Sequence, residues 1–495
     1  MTNFLGHPKA LSTLFFTELW ERFSYYGMRA ILILFMVSPS ELGGLNFPIA
    51  KAAIIYAIYT GSVYLACLPG GWLADYFFGL RRTTFFGGII IMTGHICLAL
   101  FSGFGFFLGL FLIAIGTGLL KPNISALVGT LYRDNQDKRD SGYSIYYMGI
   151  NIGAFTAPLL CGWLAQSQGF RSALSTYHID PANSWHFAFA AAAVGMGIGL
   201  IAYVRGSRLL KIYEKREVLT ETARQMALQK LISYGFSGLI LLAFILFLFQ
   251  TKVLELSTEI IGNGFGLLLL FITAMFFFKI FSEKNWSPKE RKNLYLITIL
   301  FLGATVFWSL FEQAGSTLNI FAEKNTNNQI SDFVFPSSWF QSLNPIYIIC
   351  LAPIFAFFWS RLGEGKISNI GKFAIGLLFM AFGWGIMIFA ALEAQKGVLV
   401  SPAWLAAMYF LHAIGEMFVS PVGLSAISRL APARITGLTM GIWFLASSIG
   451  SYAGGRVAGF YDTFSIADIF STLTIIAVIA SCLLGFTSTK FTRSE

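Results

Sequence analysis

Apolar runs of about twenty residues, each long enough to cross a bilayer as a helix, recur along almost the whole chain and are separated by short polar connections. They fall at about 12–36, 50–76, 84–102, 104–131, 142–166, 185–204, 231–250, 260–281, 293–321, 340–360, 371–392, 402–428, 436–460 and 466–488. The pattern predicts an all-α polytopic membrane protein with fourteen spans. Six spans with short connections occupy 1–204, and a basic amphipathic stretch with two nearly uncharged spans follows over 205–292. Six more spans with polar interiors fill 293–495. This organisation reads as two six-helix bundles joined by a linker that carries two inserted, lipid-facing helices.

The first span breaks the pattern. Glu18, Glu21, Arg22 and Arg29 lie inside it, and at roughly 100° per residue Glu18, Arg22, Tyr25 and Arg29 share one face. Each charge at mid-bilayer costs on the order of 3 kcal/mol, so such groups face a bundle interior or a wet cavity and mark an ion or substrate path. A single Glu–Arg pair at i,i+4 has a purely structural reading; two of each charge on one helix point to a pathway. Further polar intrusions are Lys121 beside Pro122, too deep to snorkel, then Asn151, Glu312, Asn344 and Glu416. For Asn151, a cavity role and helix–helix adhesion stay open. Glu312 and Glu416 need partners, and the cations Arg29 and Lys121 on the first bundle are the natural ones, which predicts ion pairs across a central cavity.

Of the 495 residues, 56% are hydrophobic and 12% charged, far from soluble composition. The net charge of +10 comes from basic residues gathered on one side, so no nucleic-acid partner is implied. Twenty-five of the 34 Lys and Arg fall in connections on the side that holds both termini, five in the opposite connections, and Arg22, Arg29, Lys121 and Arg456 within spans. That bias predicts cytoplasmic termini. No cleavable signal peptide is expected. The five cysteines lack paired spacing and no histidine has a second ligand at helical spacing, so neither a disulfide framework nor a metal site is predicted. Nor is there a nucleophile–base constellation, and an enzyme is not expected.

The run Gly70 to Arg82 places Asp75, Gly79 and Arg81 in a turn after the second span. It resembles the cytoplasmic loop motif of the major facilitator superfamily. Within that superfamily the chain resembles the proton-dependent oligopeptide transporter (POT) family. The motifs are Glu18-x-x-Glu21-Arg22-Phe23 with Tyr25-Tyr26-Gly27-Met28-Arg29, Gly118-x-x-Lys121-Pro122-Asn123, and Tyr147-x-x-Ile150-Asn151-x-Gly153, with Phe311-Glu312-Gln313 and Gly415-Glu416 in the second half. The resemblance implies import of di- and tripeptides by alternating access, with protons as the coupling ion and no other cofactor. It implies that Arg29 and Lys121 receive the peptide carboxylate, and Asn151, Asn344 and Glu416 the amino terminus. Tyr25, Tyr26, Tyr64, Tyr147, Trp308 and Trp443 line pockets, while Glu18, Glu21, Arg22 and Glu312 handle protons. The residue types agree, since a zwitterion wants cations at one pole, a carboxylate and amides at the other, and apolar walls between. Animal members carry a His on the second helix where this chain has Tyr56-Ala57-Ile58-Tyr59, and an external domain where this chain has only Glu393 to Ser401. The resemblance is therefore to the bacterial type, a multi-pass inner-membrane protein working as a monomer.

Overall fold

The computed structural model describes residues 4–133, 136–213, 225–233, 236, 257–363, 366–432 and 436–491. In the first half, α1 (Ala10–Val37), α2 (Ile49–Leu65), α3 (Cys67–Leu73), α4 (Leu80–Leu100), α5 (Phe104–Thr130), α6 (Arg139–Gln166), a short α7 (Gln168–Thr176) and α8 (Ser184–Lys211) follow one another. After them come α9 (Thr258–Ser282), α10 (Pro288–Phe311), α11 (Thr317–Lys324), α12 (Leu343–Leu362), α13 (Asn369–Ala394), α14 (Ala403–Leu430), α15 (Thr436–Val457) and α16 (Ile466–Phe491). Eleven described helices are long and apolar enough to cross a membrane. Helix α1, 28 residues long, is excluded by its charges rather than its length. The expected span at 231–250 lies almost wholly outside the described residues.

Packing is mostly within each half: α1 against α6 and α8, α4 against α5 and α8, α13 against α14 and α16, and α10 against α15. The main helix contacts between the halves are α2 with α15 and α6 with α12, with smaller ones of α1 with α11 and α3 with α15. Helix α9 touches only α2 and α15 among its stronger contacts and presents Leu267, Leu270, Phe271 and Phe278 outward.

Two features interrupt the expected helical pattern without changing the fold class. The run at 293–321 is not one helix: α10 ends at Phe311, Glu312–Gly315 form a 3₁₀ turn, and α11 begins at Thr317. The break coincides with a close approach at Gly315, where a Cβ would meet Tyr56 Oη at 2.0 Å and Arg29 Nε at 3.0 Å. The chain is also not wholly helical, since β1 (Gln329–Ile330) and β2 (Phe333–Val334) make a small antiparallel ribbon between α11 and α12. It is too short to register as period-two alternation.

At the end of the molecule that carries this ribbon, the seam between the halves is closed by hydrogen bonds. Asn319 Nδ2 and Gln341 Nε2 both donate to Ala30 O (2.7 and 3.2 Å). Ser342 Oγ donates to Phe155 O (2.8 Å), Trp339 Nε1 to Leu159 O (3.0 Å) and Ser448 Oγ to Gly61 O (2.7 Å). Gln166 Nε2 donates to Glu323 Oε2 (3.0 Å), and its Oε1 accepts from Ser338 Oγ (2.7 Å). At the other end, the helices splay around a cavity of about 2640 Å³ bordered by Asp75, Arg139, Lys279, Trp359 and Arg429.

Candidate functional site

Between the closed seam and the large cavity lies a smaller one of about 270 Å³. Its first-half wall carries Glu18, Arg22, Tyr26 and Arg29 from α1, Tyr64 from α2, Lys121 from α5, and Tyr147 and Asn151 from α6. The facing wall carries Trp308, Glu312, Asn344, Glu416 and Trp443. Helical periodicity accounts for the α1 contribution: Glu18, Arg22 and Arg29 recur at spacings that return to one face, with mostly apolar residues and Glu21 between them.

The charges form two buried groups. On α1, Arg22 Nε lies 3.2 Å from Glu18 Oε1 and also pairs with Glu21. Between the halves, Arg29 Nη2 lies 2.8 Å from Glu312 Oε2, with both side chains only 4% exposed. Oε2 nevertheless accepts no well-directed hydrogen bond, so the contact is a charge pair whose N–H points elsewhere. The guanidinium is also held by Nε donating to Tyr56 Oη (2.9 Å) and by a long Nη2 contact to Glu312 O (3.5 Å). The lack of a side chain at Gly315 lets Tyr56 and Arg29 reach this position, because a Cβ there would occupy it.

The other two expected partners do not meet. Among the described residues Lys121 has no carboxylate in ion-pair range; its Nζ stands 4.1 Å from the centroid of the Tyr64 ring, a cation–π arrangement. Glu416 accepts from Asn344 Nδ2 (3.2 Å), one wall satisfying itself with a neutral amide. Asn151 Nδ2 is turned to Tyr147 O of its own helix (2.9 Å). Trp308 and Trp443 meet edge to face at 6.3 Å, and Trp308 Nε1 has no partner among the described residues.

Two expected members sit behind the wall. Tyr25 is buried in the core with its ring 5.3 Å from Tyr26 and 5.3 Å from the Arg22 guanidinium carbon, so Tyr26 takes the cavity-facing place that Tyr25 was expected to share. Glu21 is fully buried against Arg22. Helix α1 is closely packed on both flanks by α6 and α8, which leaves only one stripe of it open. Tyr56, Gln341, Tyr409 and His412 join the site without having been expected. Neutral side chains cost little in a membrane helix, so hydropathy alone does not single them out; the need of Arg29 for a second acceptor was the available signal for Tyr56.

The loop motif is remote from this cavity. Gly79 has φ +79°, the left-handed region that favours glycine, and so turns the chain from α3 into α4. Arg81 Nη1 donates to Ser207 Oγ of α8 (2.9 Å), and Tyr203 Oη donates to Arg81 O (2.8 Å), tying the turn to its own half. Asp75 lies on the rim of the large cavity and makes no ion pair among the described residues.

A cavity walled by opposite charges, inside a bundle of membrane-length helices and sharing Lys121, Tyr147, Asn151 and Trp443 with a larger cavity at one end, is the arrangement of a membrane transport protein. The model of the POT family matches residues 81–476, and the chain belongs to that family. It is 38% identical to an uncharacterized transporter, YclF, of Bacillus subtilis (strain 168), over 99% of this chain and 96% of that one. It is 35% identical to a di-/tripeptide transporter of Lactococcus lactis subsp. cremoris, over 97% and 95% of the two chains. A crystal structure of a mutant of the peptide transporter POT in complex with alafosfalin superposes with a TM-score of 0.88 at 36% identity, covering 99% of this chain and 96% of that one.

Proposed function

We propose that this chain imports di- and tripeptides across a bacterial inner membrane, coupled to the inward flow of protons, by alternating access between two six-helix bundles. One observation carries the substrate class: the 270 Å³ cavity has cations, Arg29 and Lys121, on one wall and Glu416 with Asn344 on the other. Aromatic rings of Tyr26, Tyr64, Tyr147, Trp308 and Trp443 lie between. Its volume is near the lower end of small-molecule sites, about 300 Å³, which suits a short peptide and excludes a folded or long one. Asn151 joins Glu416 and Asn344 in receiving the amino terminus.

Fourteen spans, both termini in the cytoplasm, and a division at 1–204, 205–292 and 293–495 are the arrangement we assign, on the strength of the basic-residue bias. In that orientation the hydrogen-bonded seam is the outer gate and the large cavity is the inner vestibule. Asp75, Gly79 and Arg81 form the cytoplasmic loop motif that latches neighbouring helices together. Protons are the only coupling species in this reading, and the working unit is a monomer.

Coupling follows from the charges. Protonating Glu312 removes the attraction that holds Arg29, which frees a cation for the peptide carboxylate and loosens the outer seam at once. Glu18, Glu21 and Arg22 form the second proton site, nearer the vestibule. Both ligands then favour the same change of state, which is what coupling between two sites requires. The test is uptake of a labelled dipeptide into proteoliposomes under an inward proton gradient, with unlabelled peptides and free amino acids as competitors. Accumulation that collapses with the gradient and is displaced by peptides alone supports the reading. Indifference to the gradient, or equal displacement by free amino acids, overturns it.

A further inference from the structure

Glu18 Oε1 is taken by Arg22, but Glu18 Oε2 is buried and accepts no hydrogen bond among the described residues. The hydroxyl of Tyr146, on α6, is buried and equally without a partner. Helices α1 and α6 pack closely against each other, and this brings the phenol and the carboxylate within interaction range, with Ser125 of α5 also near the phenol. Around Glu18 the charged and titratable groups are Arg22 and Glu21 from α1, Lys121 from α5 and Tyr146 from α6. Two unsatisfied buried oxygens, one an O–H donor and the other an acceptor, are costly apart and complementary together.

Their placement gives the pairing a direction. Glu18 lines the enclosed cavity, Tyr146 lines the large one, and Ser125 lines both. Tyr146 therefore stands between the carboxylate and the open vestibule. Arg22 occupies Oε1, which leaves Oε2 as the oxygen open to the Tyr146 hydroxyl.

We infer that Tyr146 is a positioning residue for proton release from Glu18. This rests on the reading of Glu18 as a proton site. In the protonated state the Glu18 O–H bond is intact; on release that bond breaks, the proton passes to vestibule water, and the Tyr146 hydroxyl donates to the new carboxylate while keeping its own proton. A hydrogen bond to the charged form favours that form, so the phenol promotes release on the vestibule side. Without it the carboxyl holds its proton more tightly, and release into a near-neutral interior slows.

The experiment compares Tyr146→Phe, Glu18→Gln and the double variant in proteoliposomes, reading gradient-driven accumulation at several internal pH values together with peptide counterflow. Counterflow needs no proton release. The expected result for Tyr146→Phe is accumulation slowed about tenfold at neutral internal pH and recovered by raising internal pH about one unit, with counterflow persisting and no further effect in the Glu18→Gln background. Parallel loss of counterflow and accumulation, or a parental internal-pH profile, overturns the inference. If Glu18→Gln itself still accumulates peptide with parental pH dependence, it is the assignment of Glu18 as a proton site that fails.

Discussion

Replacing Glu312 by glutamine removes one charge from a pair that joins the two halves of the molecule, and the structure sets the size of the effect. Arg29 Nη2 and Glu312 Oε2 are 2.8 Å apart, almost out of reach of solvent. At an effective dielectric of about 20, unit charges at that distance attract by about 6 kcal/mol, and the cost of stripping both of water offsets part of this. Removing one partner from a buried pair costs about 3–5 kcal/mol, because the other charge is left uncompensated. The lower end applies here, since the N–H is not aimed at Oε2 and Arg29 keeps Tyr56 Oη at 2.9 Å. A loss of about 3 kcal/mol in the closed-seam state alone changes the population ratio on the order of 100-fold, enough to take an open fraction of about one in a hundred to near one half. Spin labels on cysteines placed at Leu42 and Val398, exposed positions at the closed end, report the separation once the native Cys350 and Cys482, which are exposed, have been replaced. The expected outcome for Glu312→Gln is a long-distance population of about one half that does not change with pH, where the parent holds it near one in a hundred until the carboxylate is protonated. A parental distance distribution with a parental pH response refutes the reasoning and leaves Glu21 and Glu18 as the place where the proton acts.

Gly315→Ala puts a methyl group within 2.0 Å of Tyr56 Oη and 3.0 Å of Arg29 Nε; displacement of that pair should lower transport at least tenfold, on the order of 1.4 kcal/mol, while circular dichroism shows the helices intact. Glu416→Gln should weaken binding of free dipeptides at least tenfold and leave analogues without the amine unchanged, as competition for uptake will show, because a charged hydrogen bond is worth about 1.5–3 kcal/mol. Glu21→Gln should abolish gradient-driven accumulation and preserve exchange of peptide down its own gradient, and loss of both in the same liposomes would mark Glu21 as structural, in keeping with its complete burial against Arg22.

How much of this was legible in the chain depends on whether a residue carries its cost locally. A charge in a membrane helix is expensive wherever it sits, so Glu18, Arg22, Arg29, Lys121, Glu312 and Glu416 announce themselves, and the need of Arg29 and Glu312 for one another follows from their signs. The choice between two adjacent tyrosines does not, because Tyr25 and Tyr26 differ in rotation about α1 and only packing against α6 and α8 decides which one faces the cavity. Lys121 and Glu416 show the limit of charge bookkeeping: each finds a neutral neighbour, Tyr64 and Asn344, that no count of charges can select. The break at Glu312–Gly315 was hidden in an apolar run, and the close approach of Tyr56 and Arg29 that accompanies it involves helices more than 250 residues earlier in the chain.

The closed seam has an asymmetry of authorship. Five of its donors are side chains of the second half, Asn319, Trp339, Gln341, Ser342 and Ser448, and their acceptors are main-chain carbonyls of Ala30, Phe155, Leu159 and Gly61 in the first. Every residue type supplies a carbonyl, so point substitutions in the first half cannot delete these acceptors, whereas single substitutions in the second half can delete the donors. In these five bonds the two sides of one gate are thus unequally exposed to mutation. Ala30, Phe155, Leu159 and Gly61 cannot lose an acceptor by a change of side chain, and the first half commits side chains to the lock where Gln166 meets Glu323 and Ser338 and where Arg29 meets Glu312.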